Sequence, residues 1–124
     1  MLNTAHRLTN LRSFMIFTFF VYSISLFAKE IVIEPGEDAQ ERLQEAMILM
    51  SEGDTLLIKA GYYNFEDGLS LDVNGVMVIG EGMDKTILDF KNQQSGAQGL
   101  LVTSDKVTLK DFAILDAKGD ALKV

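Results

Sequence analysis

Residues 68–80, GLSLDVNGVMVIG, and residues 99–111, GLLVTSDKVTLKD, carry one pattern twice. Leu69 aligns with Leu100, Leu71 with Val102, Val76 with Val107 and Val78 with Leu109, every pair 31 residues apart. Leu100 and Val102 recur at Leu122 and Val124, 22 residues further on, and TILD at 86–89 matches AILD at 113–116 at a spacing of 27. If the polar insert KNQQSGAQG at 91–99 is an extruded loop, the longer unit shrinks toward the 22-residue one. A repeat of this length takes precedence over any other reading of the chain, because it implies units that bury their apolar faces on one another.

The other apolar runs have the same brevity. TLLI (55–58), LSL (69–71), VMVI (76–79), TIL (86–88), LLV (100–102), VTL (107–109), FAIL (112–115) and ALKV (121–124) are separated by Gly, Asn and Asp. Such runs are too short for a sandwich of hairpins, and Asn74-Gly75 is the one strong hairpin signal. A period near 22 made of three short strands predicts a parallel β-solenoid of about three coils, with Leu, Ile and Val in inward ladders and Asn and Asp at the corners.

Upstream of the repeats, EIVIE (30–34) reads as a strand stopped by Pro35-Gly36. Asp38 and Glu41 then stand three apart before an apolar periodicity, the spacing of a capping box. Ala39, Leu43, Ala46, Met47 and Met50 form one helical stripe, and Gly53 follows where a stop is expected; Ile48 lies off that stripe. The expected organisation is an export signal over 1–28, a strand and capping helix over 29–53, and the first coils over 54–124.

The signal reading rests on His6, Arg7 and Arg12, an apolar run from Phe14 to Phe27, and Ala28 before Lys29-Glu30. The run is 14 residues long, short of the ~20 that a spanning helix needs. Ser23 and Ser25 offer another cleavage site, and an uncleaved anchor is the alternative. After residue 28 there remain 9 basic and 18 acidic residues, a net charge of −9, which argues against a nucleic-acid partner. The chain has no cysteine, and its one histidine precedes residue 28, so the remainder has no disulfide, no thiolate or imidazole metal site and no serine triad.

VIGEGMDKTILDF (78–90) resembles a phosphate loop, with Gly80, Gly82, Lys85 and Thr86 after an apolar run. A Walker loop requires glycine directly before the lysine and a helix after it. Asp84 occupies the glycine position and ILDF continues as a strand, so the stretch reads as a corner between two strands and no nucleotide is expected.

EIVIEPG, the helix DAQERLQEAMILMSEGD, GDTLLIKAGYYNF and VNGVMVIGEGMDKTILDF together resemble the right-handed parallel β-helix superfamily, the pectate-lyase-like proteins and bacterial parallel β-helix repeat proteins. The resemblance covers residues 30–124. It implies an all-β fold with a helix over the N-terminal opening, Gly53-Asp54-Thr55 opening the first coil, and Gly61 with Tyr63 ending its strand. It also implies an exported, polysaccharide-related protein, with lyase- or epimerase-type chemistry or a non-catalytic surface for glycans or envelope partners. Family members have many coils and a C-terminal cap, so the expectation is an N-terminal portion whose active coils are missing. No catalytic residue is assigned, and no activity on uronate polymers is expected of this chain alone.

Calcium is the cofactor that the resemblance implies for longer relatives. Asp72, Asp89 and Asp116 each follow an apolar run and are the metal candidates, with solvated turn residues as the plainer reading. Arg42, the single arginine after residue 28, falls on the cap helix, away from the middle coils where such sites lie. Tyr62, Tyr63 and Phe65 could stack a sugar ring or fill the core beneath the helix, and Lys106, Lys110 and Lys118 read as solvated edge residues.

Overall fold

The computed structural model describes residues 27–124, so the segment read as an export signal lies almost wholly outside it. The elements run β1 (Glu30–Ile33), α1 (Ala39–Leu49), β2 (Thr55–Ile58), β3 (Gly61–Asn64), β4 (Asp67–Leu71), β5 (Met77–Ile79), β6 (Thr86–Asp89), β7 (Ser95–Val102), β8 (Thr108–Lys110), β9 (Ala113–Leu115) and β10 (Leu122–Lys123). They form three sheets, ordered β1-β2-β5-β8, β3-β6-β9 and β4-β7-β10, and every pairing is parallel. The described chain is therefore mostly β with one short helix, and none of its sheets closes into a barrel. It visits the three sheets in the same order in each circuit, which is why no two consecutive strands from β2 onward pair with each other.

Each strand sends alternate side chains inward, so two or three residues per strand suffice for a core. Leu56 and Ile58, Tyr63 and Phe65, and Leu69 and Leu71 supply the first circuit; Val76, Val78, Leu88, Phe90, Leu100 and Val102 supply the second, and all are buried. The Phe65 and Phe90 rings pack at 5.0 Å between centroids, one circuit above the other, and Tyr63 stacks on Phe65 at 6.4 Å. Burial pushes the Tyr63 hydroxyl up to about 12, and that hydroxyl donates to the Lys59 carbonyl at 2.8 Å.

The helical stripe faces the core: Ala39, Leu43, Ala46, Met47 and Met50 are buried, whereas Ile48 is exposed. The first sheet has four strands and the others three, and α1 lies over β3 and β4 where a further strand would stand. Its glutamines take over the missing strand's hydrogen bonds. Gln44 donates to the Ser70 carbonyl at 3.0 Å and accepts from the Ser70 N–H at 2.9 Å, while Gln40 accepts from the Glu66 N–H at 2.8 Å. Gln44→Ala is therefore expected to cost about 1–2 kcal/mol in a urea melt, as two backbone groups of β4 lose their partner; an unchanged midpoint would remove this role. Asp54, also buried, accepts from the Ser51 N–H at 2.8 Å and the Lys29 N–H at 3.0 Å, which tie the helix exit to the start of β1 and hold its carboxyl below the usual range.

The structure corrects five expectations. The capping box does not form: Asp38 is the N-cap but makes no side-chain cap bond, because its carboxylate turns to Arg42 at 3.0 Å, whose guanidinium also donates to the Glu34 carbonyl. Asn74-Gly75 makes no hairpin; Gly75, at φ 68°, turns the chain from one sheet into another, and Asn74 accepts from the Asp105 N–H of the next circuit. GYYN at 61–64 is a strand of its own and not the end of the preceding one.

The fourth correction concerns register. TILD pairs with AILD at a spacing of 26 and not 27: Ile87 lies opposite Ala113, Leu88 opposite Ile114 and Asp89 opposite Leu115. A one-residue slip exchanges the two faces of a strand, and matching the repeated Leu-Asp pairs would have put Leu115 inward, although it is exposed. The fifth concerns the 91–99 insert, which is not extruded. From Ser95 it belongs to β7, with a register shift opposite Asp67–Leu69. The buried Gln93 amide donates to the carbonyls of Ser95, Gly96 and Gln98 and accepts from the Lys118 N–H of the next circuit, fixing the irregular stretch from inside.

Candidate functional site

Strand alternation separates the three aromatics of the first circuit. Tyr63 and Phe65 point inward and are buried, while Tyr62, just before them in sequence, stands on the outer face at 53% exposure. Tyr62 lies opposite Ile87, with Asn64 opposite Asp89 two pairs further along. A long side chain reaches the diagonal neighbour on an adjacent strand, and the Tyr62 hydroxyl accordingly donates to the Asp89 carboxylate. The other Asp89 oxygen accepts from the Lys91 N–H at 2.8 Å, and the residue is 3% exposed.

The hydrogen bond to Asp89 is the main cause that raises the Tyr62 hydroxyl above its ordinary value, followed by desolvation and the charges of Asp89 and Asp116. A raised value favours the neutral phenol. Tyr62 therefore remains a hydrogen-bond donor, half exposed to solvent, through neutral and mildly alkaline pH. The site joins an exposed aromatic ring to a fixed, buried carboxylate on a parallel sheet.

The three aspartates are not brought into one row. Asp89 ends β6 and Asp116 follows β9, both at one end of the β3-β6-β9 sheet, where Asp116 takes a left-handed φ of 56°. Asp72 follows β4 in a different sheet and lies beside Gln44 and Met47 of α1. Among the described residues no three His, Cys, Asp or Glu side chains gather as a metal site would require. Arg42 is engaged at the N-terminal end of α1, and Lys106, Lys110 and Lys118 are exposed.

In the 80–86 corner five backbone N–H groups are bonded within the protein. Gly80 and Gly82 donate to the carbonyls of Lys110 and Asp111, the N–H groups of Lys85 and Thr86 go to the Gly82 carbonyl, and the Glu81 N–H goes to Thr86 Oγ1. Thr86 is buried, and its hydroxyl donates to the Ile58 carbonyl. Glu81 pairs with Lys59 at 3.2 Å and accepts from the Ala60 N–H. β6 follows directly, without the helix a phosphate loop uses. No family model matches this chain, and neither does any curated protein or solved structure.

Proposed function

We propose that the protein is an exported right-handed parallel β-helix, capped at its N-terminal end by α1, that holds polysaccharide on the outer face of its β3-β6-β9 sheet. The handedness follows from the rule that crossovers between parallel strands of one sheet are right-handed. The observation that carries the binding role is Tyr62, an exposed ring whose hydroxyl is anchored on a buried carboxylate. A pyranose ring presents C–H groups to such an aromatic face. With a net charge of −9 after residue 28, the surface suits a neutral glycan better than a polyuronate. Export is read from the first 28 residues; among the described residues no helix is long and apolar enough to cross a membrane.

Affinity electrophoresis through gels containing neutral glucans, galactans or polyuronate tests this reading. Retardation by a neutral polymer is expected, weakened about fivefold by Tyr62→Ala, in keeping with the ~1 kcal/mol of an aromatic contact. Binding indifferent to Tyr62→Ala, or retardation by none of the polymers, would overturn it.

A further inference from the structure

The outward side chains of the β3-β6-β9 sheet form two rows. Tyr62, Ile87 and Ala113 stand opposite one another across the three strands, and Asn64, Asp89 and Leu115 do so two residues further along. None of the six carries an exposed charge, since Asp89, the one ionised member, is 3% exposed. The other two sheets differ, with Glu30 and Lys110 outward on the first and Lys123 outward on the third. On a chain this acidic, an outer face without exposed charge suits an uncharged ligand.

Within this face Asn64 is the side chain left with hydrogen-bonding groups to offer. It is exposed, and its amide makes no hydrogen bond among the described residues, although Asp89 lies directly opposite. The Asp89 oxygens are engaged by the Tyr62 hydroxyl and the Lys91 N–H, and burial withholds that carboxylate from a ligand. Tyr62 and Asn64, two apart on one strand, project from the same side about 6–7 Å from each other. Because the Tyr62 proton is committed to Asp89, the phenol oxygen keeps its lone pairs for an incoming donor, and the Asn64 amide adds two donors and an acceptor. An apolar platform by itself discriminates weakly between sugars, whereas a group that must be hydrogen-bonded rejects those that cannot do so.

Resting on the glycan-binding role proposed above, we infer that Asn64 is the specificity-determining residue of this face, and that its ligand is a neutral sugar unit with two adjacent free hydroxyls. One hydroxyl donates to Tyr62 Oη and the other pairs with the Asn64 amide, while the Tyr62 ring lies under the C–H face. The test is affinity electrophoresis of the protein recovered from an exporting host, through gels holding a soluble glucan or galactan or the same polymer after O-methylation. Methylation keeps the C–H groups and removes the hydroxyl donors, and should weaken retardation of the parent about tenfold. Asn64→Ala should weaken retardation by the free polymer about fivefold and leave retardation by the methylated one unchanged, whereas Tyr62→Ala weakens both. Asn64→Asp, which keeps the shape and removes the donors, should lose at least as much on the free polymer. Asn64 is exposed, so the urea midpoint of Asn64→Ala should match the parent. If Tyr62→Ala weakens binding but Asn64→Ala binds like the parent, or loses equally on both polymers, the inference is overturned and the glycan-binding role stands. Retardation of the parent by no neutral polymer would overturn both.

Discussion

Phe65→Ala is expected to lower the unfolding free energy by about 3–5 kcal/mol, the range for removing a fully buried phenylalanine. The ring is wholly buried between Tyr63 of its own strand region and Phe90 of the next circuit. Its surroundings resist collapse, since Tyr63 is held by its hydroxyl on the Lys59 carbonyl and the Phe65 N–H is bonded to the Asp89 carbonyl at 2.9 Å. A cavity is therefore left where the ring stood. Combining Phe65→Ala with Phe90→Ala should cost less than the two single changes together, because each first change already forfeits the shared contact. Urea unfolding followed by far-UV dichroism measures both, and a Phe65→Ala loss below about 1 kcal/mol would mean that the stack does not hold the circuits together.

Gly80→Ala is the second large effect, and its cause is steric. A β-carbon at Gly80 would lie 2.2 Å from the Asp111 carbonyl oxygen and 2.9 Å from the Phe112 β-carbon, both belonging to the next circuit. The Gly80 N–H meanwhile bonds the Lys110 carbonyl at 2.9 Å, so one circuit cannot retreat from the other without breaking its ladder. A loss of about 3 kcal/mol is expected, at the upper end of overpacking costs. Gly82→Ala provides the contrast, with its nearest obstacle the flexible Asp84 carboxylate at 3.0 Å and its difficulty the φ of 144°. If Gly80→Ala proves neutral in the same urea melts, the circuits do not approach each other as described.

Much of this architecture was legible because inward ladders repeat apolar residues at the spacing of the circuits. The 31-residue offset of Leu69 with Leu100 and of Val78 with Leu109, and the 22-residue offset of Leu100 with Leu122, are the strand registers themselves. The buried stripe of α1 was legible for the same reason. Registers failed where polar corner residues imitated one another, as when Asp89 and Asp116 suggested an alignment that burial of Leu88 and exposure of Leu115 exclude. Side chains that serve backbone groups elsewhere in the chain left no local signal. Gln93, Gln40 and Gln44 act on partners set by the fold, and Asp38 had two candidate partners within one turn, of which Arg42 prevails. The candidate site was partly legible: period-two alternation through Tyr62, Tyr63 and Phe65 distinguishes the outward ring from the inward pair, but its partner Asp89 lies 27 residues away on a neighbouring strand.

The central claim, that successive circuits stack in parallel and in this register, is tested most directly by disulfide trapping in a chain that has no cysteine of its own. Leu57 lies opposite Ile79 on adjacent strands of the first sheet, and Lys110 lies opposite Ile79 one strand further on. Cysteines at 57 and 79 should oxidise to an intramolecular bond, whereas cysteines at 57 and 110, two strand spacings or about 9–10 Å apart, should not, since bridging requires Cα atoms within about 7 Å. Failure of the first pair, or oxidation of the second as readily as the first, would contradict the stacked parallel arrangement.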